Sequence, residues 1–101
     1  MKIKVDIKTA GTNNITTEIC ELDIIELASR GIEDVIYEDE EDISKISVED
    51  VMKKLRHRFQ FICYTYIKRY FLNTDCVSNA GKIWSKISTE LESEIKKQLN
   101  K

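Results

Sequence analysis

The longest regular pattern of apolar and polar residues in this chain runs from Val48 to Leu72. Apolar side chains recur there at steps of three and four residues, which places them on one face of a helix. They are Val51, Leu55, Phe59, Ile62, Tyr66 and Tyr70, flanked by Met52 and Cys63. Ser47 stands at the N-cap position, where its hydroxyl can accept a hydrogen bond from the first turn. We therefore predict one long central helix over Val48–Leu72.

The second half of this predicted helix is apolar on more than one side. Phe61, Tyr64 and Phe71 lie away from the main apolar stripe. A helix that is apolar nearly all round is normally covered on two sides. We expect these three aromatic side chains to pack on a sheet, or to form an exposed patch that marks a partner or dimer interface.

The N-terminal part predicts a β-hairpin. Apolar and polar residues alternate strictly over Lys2–Thr9, as in a strand with one buried face. The segment Gly11–Asn14 has turn-forming residues, and Ile15–Leu22 follows as a second strand.

The next segment combines helix and strand patterns. Asp23 and Glu26 have the spacing of a capping box, and Gly31 suits the left-handed residue that often ends a helix. These residues predict a short helix over Ile24–Arg30. Ile32–Tyr37 is rich in β-branched residues and predicts a third strand, which would stabilise an otherwise marginal hairpin.

A second long helix is predicted near the C-terminus. The pattern breaks at Asn73–Asp75, and a one-sided apolar stripe then extends over residues 75–99. Two long helices with a short connection favour an antiparallel hairpin. We predict a single α+β domain, in which an acidic, β-rich part (1–46) precedes a basic helical hairpin (47–101).

Charge is distributed unevenly along the chain. The first 50 residues carry 14 acidic and five basic side chains, whereas the last 51 carry four acidic and 11 basic ones. Such asymmetry indicates either an interaction surface or two parts that neutralise each other.

The acidic side chains concentrate in one segment, which we predict to be a solvated loop because a run of like charges cannot be buried unpaired. They are Glu33, Asp34, Glu38, Asp39, Glu40, Glu41 and Asp42. Spaced carboxylates can present negative charge as a phosphate backbone does, and electrostatic attraction would speed docking on a basic protein surface. The alternative is a loop that only aids solubility.

A basic stretch on the central helix offers a second candidate surface. Its residues are Lys53, Lys54, Arg56, Arg58, Lys68 and Arg69. Lysine and arginine bind phosphates, and aromatic rings stack on unpaired bases. The alternative is that these cations pair with the acidic segment, and an overall pI near 5.5 favours a protein partner over nucleic acid.

No catalytic or cofactor motif is present. The single histidine, His57, is predicted to lie on the opposite side of the helix from Cys63, so the two do not form a nucleophile–base pair. Cys20 and Cys63 are expected to be small buried hydrophobes, and the acidic segment lacks the spacing of a calcium loop. We predict no enzymatic activity, no cofactor and no metal site.

Together these patterns predict a small cytoplasmic interaction protein with no membrane segment. Its leading function is to occupy a surface on a protein partner through the acidic segment and the aromatic residues. A phage-type inhibitor of a nucleic-acid-processing enzyme, of the anti-defence class, would fit this description. The alternative is a nucleic-acid-binding protein that uses the basic helix. A third possibility is a homodimer that buries Phe61 and Phe71.

Overall fold

The computed structural model describes residues 1–39 and 42–100. Its elements are strands β1 (Lys2–Thr9) and β2 (Ile15–Glu21), helix α1 (Ile24–Glu38), a 3₁₀-helix (Ile43–Lys45), helix α2 (Val48–Lys68), strand β3 (Thr74–Val77) and helix α3 (Ala80–Leu99). This confirms the α+β class. The chain divides into two compact units: unit 1 is Met1–Leu22 with Arg58–Lys86, and unit 2 is Asp23–His57 with Ile87–Lys101.

Unit 1 contains an antiparallel sheet of order β2–β1–β3. The N-terminal hairpin is as predicted, and Gly11 takes a positive φ of 77° in its turn. The third strand was assigned wrongly. It is Thr74–Val77, which pairs with the free side of β1, and not Ile32–Tyr37, which is helical.

The start of the last helix was also predicted wrongly, because residues 74–77 are a strand and α3 begins at Ala80. Asn79 explains the change, since its side chain ties this point of the chain to β1. Its Oδ1 accepts a hydrogen bond from the Asp6 N–H group at 2.9 Å, and its Nδ2 donates to the Lys4 carbonyl at 3.1 Å. Val77 lies opposite Ile7 in the sheet, so β3 adds an apolar side chain to the buried face.

The core of unit 1 lies between the sheet and parts of both long helices. The buried residues are Ile3, Val5, Ile7, Cys20, Leu22, Phe59, Cys63, Tyr66, Ile67, Val77, Ala80 and Ile83. Phe59 meets Trp84 edge to face, with ring centroids 5.1 Å apart and planes inclined at 67°. This contact joins α2 to α3, which have 21 and 20 residues.

The apolar stripe of α2 differs in its second half from the predicted one. Cys63 and Ile67 are buried, Ile62 is only half-buried and Tyr70 is exposed. The helix ends at Lys68, four residues earlier than predicted. The N-terminus is as predicted, with the Asp50 N–H group donating to the Ser47 hydroxyl at 3.1 Å.

In unit 2, α1 continues to Glu38 and does not end before Gly31. Its predicted start is confirmed, since the Asp23 carboxylate accepts from the Glu26 N–H group at 3.0 Å. Gly31 is buried inside the helix, where a Cβ atom would lie 2.7–2.9 Å from side-chain atoms of Leu55 and Val51. Gly31 therefore permits close packing of α1 on α2, and does not terminate the helix.

The core of unit 2 follows from this packing. Its buried residues are Leu27, Ala28, Ile32, Val35, Ile46, Val51, Leu55, Ile87, Leu91 and Ile95. The α1 members recur at helical spacing on both sides of Gly31, so burial outweighs the strand preference of the β-branched residues. The Gln98 amide joins α3 to α1, because it accepts from the Ser29 hydroxyl at 2.8 Å and donates to the Ile25 carbonyl at 3.1 Å.

Candidate binding surfaces

The first candidate surface is the C-terminal end of α1, here called the α1 acidic end: Glu33, Tyr37, Glu38, Asp39 and Asp42. The prediction of a loop was wrong for Glu33, Asp34 and Glu38, which lie within α1. Asp39 and Asp42 are helix caps. The last turn of α1 contains no basic residue. Carboxylates near a helix C-terminus face the negative end of the helix dipole. This placement is unfavourable for helix stability. The carboxylates also strengthen the negative potential at this end of α1.

Two of these carboxylates are held within unit 2 by one lysine on α2. The Lys54 ammonium lies 2.9 Å from Asp39 and 3.1 Å from Glu38. The hydrogen bond to Asp39, followed by the one to Glu38, raises the pKa of Lys54. This pairing agrees with the alternative that the basic helix neutralises the acidic segment, and it involves one lysine.

The remaining predicted acidic residues have different surroundings. Glu33 is exposed on α1, and Asp34 is half-buried. The Asp42 carboxylate caps the 3₁₀-helix by accepting from the Ser44 N–H group at 3.0 Å. Glu40 and Glu41 were also predicted to bind a partner, and they lie outside the described residues.

Tyr37 is a residue of this surface that sequence reasoning missed. Its side chain is 78% exposed, although aromatic rings are usually more buried. Glu33 lies four residues earlier, so the two side chains are neighbours on the helix surface. The signal was present in the sequence, as an aromatic residue directly before a run of acids, but Tyr37 was assigned to the end of a strand.

Two of the predicted basic residues of α2, Lys53 and Lys54, line an open pocket in unit 2. Lys53 and Arg56 are exposed, whereas Lys54 is engaged by the acids of α1. The pocket has a volume of about 530 Å³ and is lined by Val35, Asp39, Asp50, Lys53, Lys54 and His57. Its lining mixes both signs of charge. A phosphate backbone would therefore meet carboxylates there as well as ammonium groups.

The second candidate surface, in unit 1, is called the α2 aromatic face: Phe61, Tyr64 and Lys68. Phe61 is 69% exposed, so the sheet of unit 1 does not cover it. The Lys68 ammonium donates to the Tyr64 hydroxyl at 2.7 Å and lies 5.0 Å from the centre of that ring. The face therefore presents the exposed Phe61 ring next to the Tyr64 ring, which has the Lys68 ammonium over it.

The other predicted residues of unit 1 lie near this face in sequence but are more engaged. Phe71 is half-buried and lines a pocket of about 230 Å³ beside Leu72, Thr74 and strand residues. The Arg69 guanidinium lies 5.0 Å from the centre of the Tyr66 ring. Arg58 is exposed and has an interaction within the protein. The six predicted basic residues thus divide between the two units, three in each.

The two buried thiols, Cys20 and Cys63, do not resemble reactive groups. Cys20 and Cys63 are buried, as predicted. Burial raises the pKa of the Cys63 thiol to about 12, and burial followed by the Glu18 charge raises the pKa of Cys20. Within residues 1–39 and 42–100, no three side chains of the ligating types are grouped to hold a metal ion.

Among the described helices, none is both long and apolar enough to cross a membrane. Comparisons with protein-family models, with curated proteins and with solved structures find no match to this chain.

Proposed function

We propose that this chain is a non-catalytic protein-binding module that attaches to a basic surface of a larger protein. The observation that supports this most strongly is the exposed Tyr37 ring among carboxylates at the α1 acidic end. An aromatic side chain offers a large apolar contact at low conformational cost. The carboxylates around it supply long-range attraction, so one helix end carries both components of a specific contact.

The cost of this arrangement to the fold also supports a binding role. Glu38 lies in the C-terminal turn of α1 and Asp39 is its C-cap, and that turn has no basic residue, which is against the preference of the helix dipole. Lys54 compensates for Glu38 and Asp39. Sites where a local rule is broken are often functional sites. Glu33 and Tyr37 are the members that we assign to the partner.

The α2 aromatic face provides a second contact in the proposal. Phe61 is a large exposed ring, and exposed aromatic groups are enriched in protein interfaces. In the proposal, the helix that presents the α2 aromatic face forms an antiparallel hairpin with α3. The Phe59–Trp84 contact in unit 1 supports this pairing. We assign Phe71 to the same contact with the partner.

The partner class follows from the charge. Surfaces that bind nucleic acid are rich in lysine and arginine, and carboxylates on a folded frame compete with phosphate for them. We therefore propose a nucleic-acid-processing enzyme as the partner, with inhibition by occupation of its basic surface. This proposed function is drawn by analogy with phage-encoded inhibitors of the anti-defence class. We place the interaction in the cytoplasm, where cysteine thiols stay reduced.

A capture experiment separates this proposal from nucleic-acid binding. The tagged protein is incubated in native lysate with and without nuclease, and bound proteins are identified by mass spectrometry. We expect a defined partner to remain after nuclease treatment. Loss of all partners with nuclease would contradict the proposal and favour the basic residues of α2.

Matched variants locate the contact. Glu33→Gln with Tyr37→Ser should release the partner, because both the charge and the ring are lost. Glu90→Gln with Ile25→Ser removes one exposed carboxylate and one exposed apolar side chain elsewhere in unit 2. This control should retain the partner. Equal retention by the two double variants would exclude the α1 acidic end as the binding surface.

A further inference from the structure

The outer edge of β2 is an open hydrogen-bonding edge. In the part of the chain that the structure describes, β2 pairs only with β1. The Thr9 N–H group donates to the Asn14 carbonyl, and the Leu22 N–H group donates to the Met1 carbonyl. Hydrogen-bonded pairs alternate along an antiparallel ladder. The even-numbered residues of β2 therefore face β1, and the backbone groups of Ile15, Thr17, Ile19 and Glu21 point away from it.

This edge lacks several of the features that protect edge strands, and its one charge on the core side of the sheet is the half-buried Glu18, opposite Val5. The edge has no proline, no lysine and no bulge along its pairing with β1. Ile15 is 57% exposed and Ile19 is 66% exposed. The same residues that direct their backbone groups outward also place apolar side chains on the solvent face of the sheet. An edge of this kind is suited to pairing with another strand.

The sequence of the edge is complementary to itself. Isoleucine stands two residues before Thr17 and two residues after it. In an antiparallel pair of two copies centred on Thr17, Ile15 of each copy meets Ile19 of the other, and the two threonines meet at the two-fold axis. Aliphatic and threonine cross-strand pairs both stabilise a sheet.

Charge selects this register over the one that is centred on Glu18. A shift that centres the pair on Glu18 would place the two Glu18 carboxylates directly opposite each other, which is destabilising. In the pair that is centred on Thr17, Glu18 faces Thr16 of the other copy. On the solvent face, Lys4 lies beside Ile19 and Lys8 beside Ile15 in each hairpin. The Ile–Ile pairs are then flanked by lysine stems, which cover apolar surface while their charges stay in water.

We propose that two copies of this chain associate through β2, forming a continuous six-stranded antiparallel sheet with a two-fold axis at Thr17. The contact does not use the α1 acidic end. Its tests therefore do not depend on whether the proposed protein partner exists. A strand-to-strand contact is smaller than a standard protein interface of about 1,600 Å². We therefore expect a reversible dimer that dissociates on dilution.

The first test is Thr17→Lys. In the monomer, Thr17 donates to the Asp6 carboxylate at 2.8 Å, so a lysine there keeps an attractive neighbour. In the dimer, two lysines would oppose each other at the axis. Sedimentation velocity over a dilution series should show a dimer for the wild type and about fivefold weaker association for the variant, since opposed like charges destabilise a cross-strand pair. Thr89→Lys, with the same charge change at an exposed position of α3, should associate like the wild type.

The second test is independent of charge and reads the register. In a Cys76→Ser background, Thr17→Cys should oxidise rapidly to a disulfide-linked dimer, because facing Cα atoms in a hydrogen-bonded pair lie about 5.5 Å apart. Glu18→Cys should oxidise more slowly. A wild-type protein that stays monomeric at all concentrations, Thr17→Lys association equal to the wild type, or faster cross-linking through position 18 would each overturn the proposal. Binding of an unrelated strand by a monomeric chain would also overturn it.

Discussion

Replacing Gly31 by alanine tests the packing that positions the α1 acidic end. Helix propensity alone predicts a gain, since alanine is more favourable than glycine in a helix interior by about 1 kcal/mol. The structure predicts the opposite. The added Cβ would lie 2.7 Å from Leu55 Cδ1, 2.8 Å from Leu55 Cγ and 2.9 Å from Val51 Cγ1.

The magnitude follows from these distances. Carbon atoms in good contact lie about 3.5–4.0 Å apart, so the Leu55 Cγ atom would have to move by about 0.7 Å. Leu55 and Val51 are both fully buried and have little room to yield. Overpacking of this kind costs about 1–3 kcal/mol. After subtracting the propensity gain, we expect Gly31→Ala to lower the free energy of unfolding by up to about 2 kcal/mol.

Gly81 provides a matched control in another helix. It lies in the first turn of α3, and a Cβ there would meet no atom within 4 Å. Gly81→Ala should therefore raise the free energy of unfolding by about 0.5 kcal/mol. Urea unfolding followed by circular dichroism measures both variants. Stabilisation by Gly31→Ala similar to that by Gly81→Ala would refute the packing argument.

Three further predictions concern the sheet, the ion pair and the thiols. Asn79→Asp should lower the free energy of unfolding by about 1–3 kcal/mol, because a carboxylate cannot donate to the Lys4 carbonyl; thermal unfolding measures this loss. Lys54→Met should destabilise unit 2 at pH 7 and low salt. Since the folded pKa of Lys54 is raised, this difference should persist below the unfolded lysine pKa of about 10.4 and vanish as pH rises through the folded value. An Ellman assay at pH 8 should find Cys76, which is half-buried, modified before Cys63, whose pKa is about 12.

Each of these predictions has a contradicting result. Full stability of Asn79→Asp would mean that the bond to Lys4 contributes nothing. A wild-type-to-Lys54→Met difference that grows with alkaline pH would contradict the sign of the pKa shift. Rapid modification of Cys63 in the folded protein would contradict its burial.

The parts of the fold that could be predicted are those whose signals are local and unambiguous. Strict alternation over Lys2–Thr9 identified β1, and the Asp23 and Ser47 caps identified the starts of α1 and α2. Cap residues act through hydrogen bonds to their own first turn, so the sequence contains the whole interaction.

The errors arose where distant residues decide the local structure. Gly31 is compatible with a helix end or with close helix packing, and only Val51 and Leu55 distinguish the two. The strand Thr74–Val77 is four residues long and exists because β1 offers it a free edge. A pattern of that length does not separate strand from helix.

The candidate surfaces were foreseen in part for the same reason. A run of carboxylates is visible in any sequence, but its pairing with Lys54 depends on how α1 packs on α2. The exposure of Tyr37 could not be foreseen once the end of α1 had been assigned to a strand. Phe61 was identified because its position on the far side of α2 follows from helical spacing alone.

The most direct test of the proposed function is the rate of association with the captured partner. The purified partner is immobilised, and association is measured at several salt concentrations for the wild type, Glu33→Gln with Tyr37→Ser, and the control Glu90→Gln with Ile25→Ser. We predict slower association and a shallower salt dependence for the first double variant, since electrostatic attraction mainly affects the association rate, and no change for the control. Identical rates and salt slopes for all three proteins would contradict the account.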